Sequence, residues 1–592
     1  MQILDNKKCR YFCIFAISLI YFLRIIYIDA DVPAWGVSTY MPIDEGIYAE
    51  LALNLLTFGS IDPNQYFQGQ YEFLVSAQAT INVFGNLVTY VTLLLFGDNY
   101  FGLRMGTVII GLILIWVVYG TVANVLKKIV ADSPGVAYLI ALCCAAILLI
   151  SFPYFNASRI VDPCLSRMFF VALVLFVLSS ERMKLSLKAF LIGFLTIASI
   201  FLVYVTNVFL GIPVLGLFVY LIATKKAKEA WCYLRWGIFG ALCAYALSCV
   251  YYYCCWEISP LTNLLAVFGA FSSVDSAGYA SSYQAAAGIG YLKNIRDFFV
   301  TNIVLYSFPL VAISVILLPL LFKKELLRRI GDIELFAVLT ILGFLLQTVF
   351  FSDFVVKKQI VVLPAFLLLL AIEIERLLAK DQIKKGKEVI YVVIATLLCF
   401  AWLFYVDYFR LFKVNTTIMT VLDYSEFDIL SIIVASICTI IAVLVFAIAL
   451  LKKKHRIMIA GLLANCAIFA VLNIGFIYVH NYQDPSFTEK ETMIAIGEKV
   501  GDGIVAGDYY PVYSLYNETK YLLNDRPIIA SQLRENPNDL YYFDYSDAEH
   551  FSNDPRHLWQ NVVTEETYPR KYSAYGQERS VSLYSSLYRI EG

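Results

Sequence analysis

What most limits this chain is the recurrence of apolar runs long enough to cross a bilayer. A spanning helix needs ~20 mostly apolar residues. Candidates stand at 11–28, 101–126, 136–153, 163–180, 187–205, 207–223, 236–256, 301–322, 333–351, 359–375, 388–406, 428–451 and 457–479. In lipid the backbone must satisfy its own hydrogen bonds, so runs of this kind fold as helices. The fold class is therefore an α-helical polytopic membrane protein with about 13 transmembrane helices. A composition 60% hydrophobic and 15% charged agrees with it. The division of 187–223 into two spans rests on the Thr206-Asn207 and Gly211-Ile212-Pro213 interruptions.

Segment 73–96 is also apolar, and counting it as a span would invert every later loop. With 73–96 lying at the interface, one set of loops holds 25 Lys and Arg, around Lys7, Lys127, Arg182, Lys225, Lys323, Lys384 and Lys452. The opposite set, before the tail, holds seven: Arg159, Lys293, Arg296, Lys357, Lys358, Arg410 and Lys413. The positive-inside rule then puts the N-terminus inside and residues 480–592 outside. Lys7, Lys8 and Arg10 precede an apolar run without a small-residue cleavage site, which reads as a retained helix. All 13 cysteines lie at or before Cys466, so the outside tail has none, and no metal-binding cysteine spacing is present. With no ER-retention ending, this points to a bacterial plasma (inner) membrane. A net charge of −1 argues against nucleic acid as a partner.

Two domains are expected: a membrane domain, 1–479, including an outer loop at 29–100 with juxtamembrane helices, and an extracytoplasmic domain, 480–592. The tail changes character at Tyr482-Gln483-Asp484-Pro485. Glu489–Val500 fits a helix ending at Gly501, and Gly503–Gly507 and Ser580–Tyr588 fit strands, so a small α/β domain is read there.

Three constellations fall on the outer face. One is Asp44-Glu45, in the stretch YMPIDEGIYAELALNLLTFG (Tyr40–Gly59). Between Asp29 and Tyr100 there are eight acids and no Lys or Arg, which suggests chemistry rather than a salt bridge. Another is Ser158-Arg159-Ile160-Val161-Asp162-Pro163. The third is Asp353 with Lys357-Lys358, shortly before Pro364. Ionisable groups near the membrane tend to be functional or paired, but sequence alone does not show that these meet. Each has a plainer reading: charge at a helix start for Asp44-Glu45, a loop ion pair for Arg159 and Asp162, and interfacial snorkelling for the lysines. Arg24 and Arg104 read as structural. Asp29-Ala30-Asp31 has the spacing of a metal motif that is also common in ordinary loops. A divalent cation is thus open, and no other cofactor is indicated. The Gly-, Ala- and Ser-rich middle of the loop Glu257–Phe299 suits either a lid over substrate or a plain connector. The tail tyrosines suit sugar stacking or core packing.

In order along the chain come D-E-G-x-Y-A-x-x-A-x-N-L at Asp44–Leu55, F-G-D-N-x-F-G-L-R at Phe96–Arg104, S-R-x-x-D-P at Ser158–Pro163, and K-K-Q-x-x-V-L-P at Lys357–Pro364. This series resembles the GT-C superfamily of polyprenyl-phosphate-sugar-dependent glycosyltransferases, family 39 type, with its protein O-mannosyltransferases and aminoarabinose–lipid A transferases. The resemblance implies an inverting transferase in which Asp44 is the catalytic carboxylate, Glu45 its neighbour and Asp162 a second acid. Arg159, Lys357, Lys358 and Arg296 would serve the donor phosphate. The implied partners are a polyprenyl-phosphate sugar, membrane lipids, and a lipid, glycan or protein acceptor. The chain departs from the family in reading QGQYEF at Gln68–Phe73 in place of a Lys-Pro-Pro segment, and in carrying Asn207 where a lysine is frequent. The alternative function is a transporter or flippase of a lipid-linked or polar substrate. It is disfavoured because the charges cluster at one face rather than at broken helices in the midplane.

Overall fold

The computed structural model of the chain describes residues 6–31, 41–59, 82–129, 134–256, 258–272, 331–350, 360–378, 470, 473–474, 477–483, 485–506, 510–521, 540–544, 562–574 and 577–590. Helix α1 (Lys7–Tyr21) starts where Asn6 accepts a hydrogen bond from Lys8 N at 2.9 Å, and it tightens into a 3-10 turn at Phe22–Ile25. Then come α2 (Met41–Phe58), α3 (Val83–Phe96), α4 (Tyr100–Ile129), α5 (Pro134–Ile150), the short α6 (Phe152–Ala157) and α7 (Pro163–Ser179). The chain continues through α8 (Leu185–Phe201), a 3-10 turn at Val205–Leu210, α9 (Gly211–Ala223), α10 (Ala227–Trp256), α11 (Pro260–Ser272), α12 (Asp332–Phe350) and α13 (Leu363–Leu378). The spans expected at 301–322, 388–406 and 428–451, and most of 457–479, lie outside the described residues.

Local chemistry explains several boundaries. Asp162 caps α7, its Oδ1 accepting from Cys164 N at 2.7 Å, with Pro163 at the first helical position, where its missing N–H costs nothing. The 187–223 run breaks at Leu202–Tyr204, where Tyr204 is extended, and resumes through the 3-10 turn that contains Thr206 and Asn207. Helix α3 has 14 residues, about 21 Å, too short to cross a core of about 30 Å unaided. One expectation is corrected. The loop read at Glu257–Phe299 opens with a helix, α11, because Pro260 starts an apolar stretch, PLTNLLAVFGAF, that carries helical periodicity.

The main core joins α4, α5, α7 and α13, and Ile360–Ile372 is buried where it is described. Lipid-facing surfaces are apolar and exposed: Tyr11, Phe12, Phe15 and Leu19 on α1, and Trp231, Ile238, Phe239 and Leu242 on α10. Helices α8 and α10 approach through glycine. A Cβ on Gly193 would lie 2.0 Å from Gly237 O, and one on Gly240 would lie 2.0 Å from Phe190 O. Helix α4 has Arg104 in its second turn and Lys127 and Lys128 in its last, and Lys128 pairs with Glu181 at 3.3 Å. At that same basic end Lys226 meets Asp332 at 3.7 Å. Arg104 and the Lys127-Lys128 pair therefore lie at opposite ends of α4.

Beyond a short π-helical turn at Val479–Gln483, α14 (Thr488–Val500) stops at Gly501, whose φ of +65° suits glycine. Strands β1 (Ile504–Ala506), β2 (Lys520–Tyr521), β3 (Leu540–Asp544), β4 (Val562–Ala574) and β5 (Gln577–Ile590) form a sheet of order β2-β1-β3-β5-β4, with a short helix, α15 (Tyr510–Tyr513), between β1 and β2. The β2-β1-β3 half is parallel, and β3-β5-β4 is antiparallel. A second apolar core joins this sheet to the membrane helices. Tyr48, Ala52 and Leu53 of α2 and Leu103 of α4 pack with Met493, Ile496, Tyr513 and Phe543.

Candidate active site

The site is built around a buried arginine. Arg104 donates Nε to Glu45 Oε1 at 2.9 Å and Nη2 to Glu45 Oε2 at 2.6 Å, a fork-to-carboxylate pair with both side chains at most 3% exposed. Its Nη1 reaches Ile28 O at 2.6 Å and Ala30 O at 2.7 Å, and its guanidinium lies 4.0 Å from the Tyr100 ring centre. The suggestion of chemistry rather than a salt bridge is thus corrected for Glu45. Its cation is Arg104, four residues beyond the cation-free loop. The sequence signal was present, because Arg104 closes the F-G-D-N-x-F-G-L-R motif.

Glu45 Oε1 also accepts from Val161 N at 3.1 Å. That bond joins the residue after Asp44 to the residue before Asp162, so two of the three constellations meet. Asp162 is buried at the start of α7. Asp44 lies in the first turn of α2, and its side chain is outside the described residues. Helix α2 is further fixed to α3, where Ala52 N donates to Asn86 Oδ1 at 3.1 Å. Lys357, Lys358 and Arg296 are outside the described residues, as is Asp353.

Arg159 is held in place. It donates Nη1 to Asn481 Oδ1 at 2.6 Å, and Nη2 to Tyr27 O at 2.5 Å and Ile26 O at 3.2 Å. Burial, against the favourable field of Tyr482 and with repulsion from Arg104 and Arg24, pushes its pKa down to about 10, so it stays charged at neutral pH. Arg24 is likewise structural, donating to Ser158 Oγ at 2.9 Å and Leu149 O at 2.7 Å.

The metal-motif reading of Asp29 and Asp31 is corrected as well. Asp29 pairs with Lys490 at 2.5 Å, and this hydrogen bond raises the lysine above its ordinary value. Asp31 accepts from Ser486 Oγ at 2.5 Å, Thr488 N at 2.9 Å and Glu489 N at 3.1 Å, which satisfies the open amides at the start of α14. Burial raises the Asp31 carboxyl, against the pull of those donors. Of the tail tyrosines, Tyr513 donates to Glu489 inside the second core, and Tyr516 Oη accepts from Tyr100 N at 3.0 Å. Packing accounts for both. Asn481, Lys490 and the Val161 amide were not legible as parts of this site, because each acts through a fold contact rather than a motif.

Residues 83–253 match a family model described as dolichyl-phosphate-mannose-protein mannosyltransferase. No curated protein matches the chain. Among solved structures the chain is similar to ArnT from Cupriavidus metallidurans bound to undecaprenyl phosphate, at 12% identity and a TM-score of 0.54, covering 99% of this chain and 100% of that one. It is also similar to the apo state of the same protein, at 14% identity and a TM-score of 0.52, covering 98% of each. The family match gives no support to a transporter and covers α3 through most of α10, including the Arg104 and Asp162 parts of the site. Residues 83–253 thus carry the match to the mannosyltransferase family, on a mostly helical, multi-pass membrane fold like that of ArnT.

Proposed function

We propose that the chain moves a sugar from a polyprenyl-phosphate donor to a hydroxyl of a lipid, glycan or protein acceptor, with inversion, at the extracytoplasmic face of the inner membrane. The observation that supports this reading is the Glu45–Val161 hydrogen bond, made between the sequence neighbours of Asp44 and Asp162. Support for the donor comes from the family description and from the undecaprenyl phosphate bound to ArnT.

A lipid-phosphate sugar already has a good leaving group. The acceptor oxygen attacks the anomeric carbon, the bond from that carbon to the phosphate oxygen breaks, and polyprenyl phosphate departs with the electron pair. Asp44 takes the acceptor's proton, a role worth typically ~10²–10⁴ in rate. Glu45, locked to Arg104, positions Asp44 rather than reacting. Asp162 orients the acceptor or the base at the start of α7. Lys357, Lys358 and Arg296 neutralise charge developing on the phosphate. Arg159 shapes the site by holding Tyr27 and Asn481. In this reading 1–479 is the catalytic membrane domain and 480–592 an extracytoplasmic domain seated on it.

The test is transfer of radiolabelled sugar from a polyprenyl-phosphate donor by purified full-length protein. Asp44→Asn is expected to lose at least ~10² in turnover while eluting and melting like wild type. Near-normal turnover by Asp44→Asn would remove Asp44 from the role of base.

A further inference from the structure

Arg167 sits on α7, five residues after the Asp162 cap, and is fully buried. Its Nε donates to Asn207 Oδ1 at 2.9 Å, and Asn207 Nδ2 donates in turn to Ser199 O at 3.1 Å. The guanidinium lies 4.8 Å from the Tyr204 ring centre and 5.9 Å from that of Phe344. Nη1 and Nη2 are buried and reach no hydrogen-bond acceptor among the described residues. The other buried arginines differ. Arg104 has a carboxylate and two carbonyls, Arg24 a hydroxyl and a carbonyl, and Arg159 an amide and two carbonyls.

A buried cation without a counter-charge is unfavourable, and near a membrane such a residue is a candidate for function. The aromatic faces compensate only part of the charge. What remains is the Nη1–Nη2 edge of a planar fork, whose geometry suits two oxygens of one phosphate. Asn207 fixes the plane of that fork from the opposite side. Two further buried oxygens, one on the 3-10 turn and one on α12, have no hydrogen-bond partner among the described residues. These are Thr206 Oγ1, beside Asn207, and Gln347 Oε1, one turn along α12 from Phe344. Acceptors of this kind suit the hydroxyls of a sugar.

We infer that Arg167 binds the phosphoryl group of the lipid-linked donor through Nη1 and Nη2, with Asn207 as its positioning partner. The inference rests on the donor reading given above. A membrane phospholipid carries the same phosphoryl chemistry, so the experiment separates the two sources.

Thermal unfolding of the full-length protein in detergent is followed with undecaprenyl phosphate, undecaprenol or phosphatidylglycerol at equal concentration. Wild type is expected to gain stability from undecaprenyl phosphate beyond any gain from the neutral alcohol. Arg167→Met should lose that phosphate-dependent gain, binding about 10- to 100-fold more weakly. Without lipid it should melt at or above the wild-type temperature, because a lone buried charge has been removed. A wild-type gain retained by Arg167→Met overturns the inference. So does a marked fall in its lipid-free melting temperature, which would mean that the charge is compensated within the chain. An equal wild-type gain from phosphatidylglycerol overturns the donor assignment in favour of a phospholipid headgroup. Should Arg167→Met not be recovered folded, Arg167→Lys decides. At least about tenfold weaker binding supports the inference, and unchanged binding sinks it. Wild-type transfer assayed in parallel keeps the two ideas apart. No transfer defeats the donor reading, whereas normal transfer with an unaltered Arg167→Met response defeats this inference alone.

Discussion

Glu45 and Arg104 act as one unit, and their energetics differ from those of a surface pair. Each is desolvated, so removing one partner strands the other, at a cost of about 3–5 kcal/mol. Glu45→Gln should therefore lower the melting temperature sharply. The double variant Glu45→Leu/Arg104→Met should regain much of that stability, because two apolar groups of similar volume leave no stranded charge. It should not regain transfer, since the Val161 amide loses the oxygen that ties α7 to α2. Melting curves and turnover on all four proteins of the cycle check this, and a double variant as unstable as Glu45→Gln would contradict it. The sequence marked Asp44-Glu45, Arg159 and Asp162 as residues of interest, and it marked Arg104 as structural. It did not pair Glu45 with Arg104, because 59 positions separate them and partner choice over that range is set by the fold. The Asp162 cap was easier to read, since Asp-Pro before an apolar run is a local signal.

At the scale of the element, legibility followed backbone chemistry. Helix α14 ends at the glycine that the sequence indicates, and the break near Asn207 falls where the polar pair interrupts the apolar run. Helix α11 is hard to read in the sequence because the Gly-, Ala- and Ser-rich stretch after it dominates the composition. Contacts between helices were the least legible, since hydropathy reports how much is buried and not against what. The α8–α10 contact shows this. Gly193 and Gly240 look unremarkable in an apolar run, yet both sit where a methyl group would meet a backbone carbonyl. Gly193→Val should push the helices apart and cost about 1–3 kcal/mol or more, read as a lower melting temperature in detergent. Gly211→Ala, at a position with open space around it, is the control and should change little.

Taken whole, the molecule is joined more closely than its composition suggests. The shift near residue 480 is plain in the sequence, but the shared core between α2 and the tail is not, because apolar faces on two separate segments do not announce each other. Met493 is fully buried in that core, far along the chain from the acids of the site. Met493→Ala should cost about 2–5 kcal/mol and reduce transfer, because α2 loses part of the surface that holds it. Leu187→Ala, at a half-exposed position on α8, should leave both nearly unchanged. Melting and turnover measured together test the coupling. A Met493→Ala protein that is destabilised but fully active would show that α2 does not depend on the tail.

Asp31 closes the amides of a helix that begins 457 residues later. Synthesis runs from the N-terminus, so that carboxylate is made long before its partner and waits for nearly the whole chain to be inserted. A ribosome that stalls after the membrane helices therefore leaves an acidic loop with no helix to cap and an α2 with no sheet to rest on. Completion of the last segment supplies both the amides that Asp31 accepts from and the apolar surface under α2.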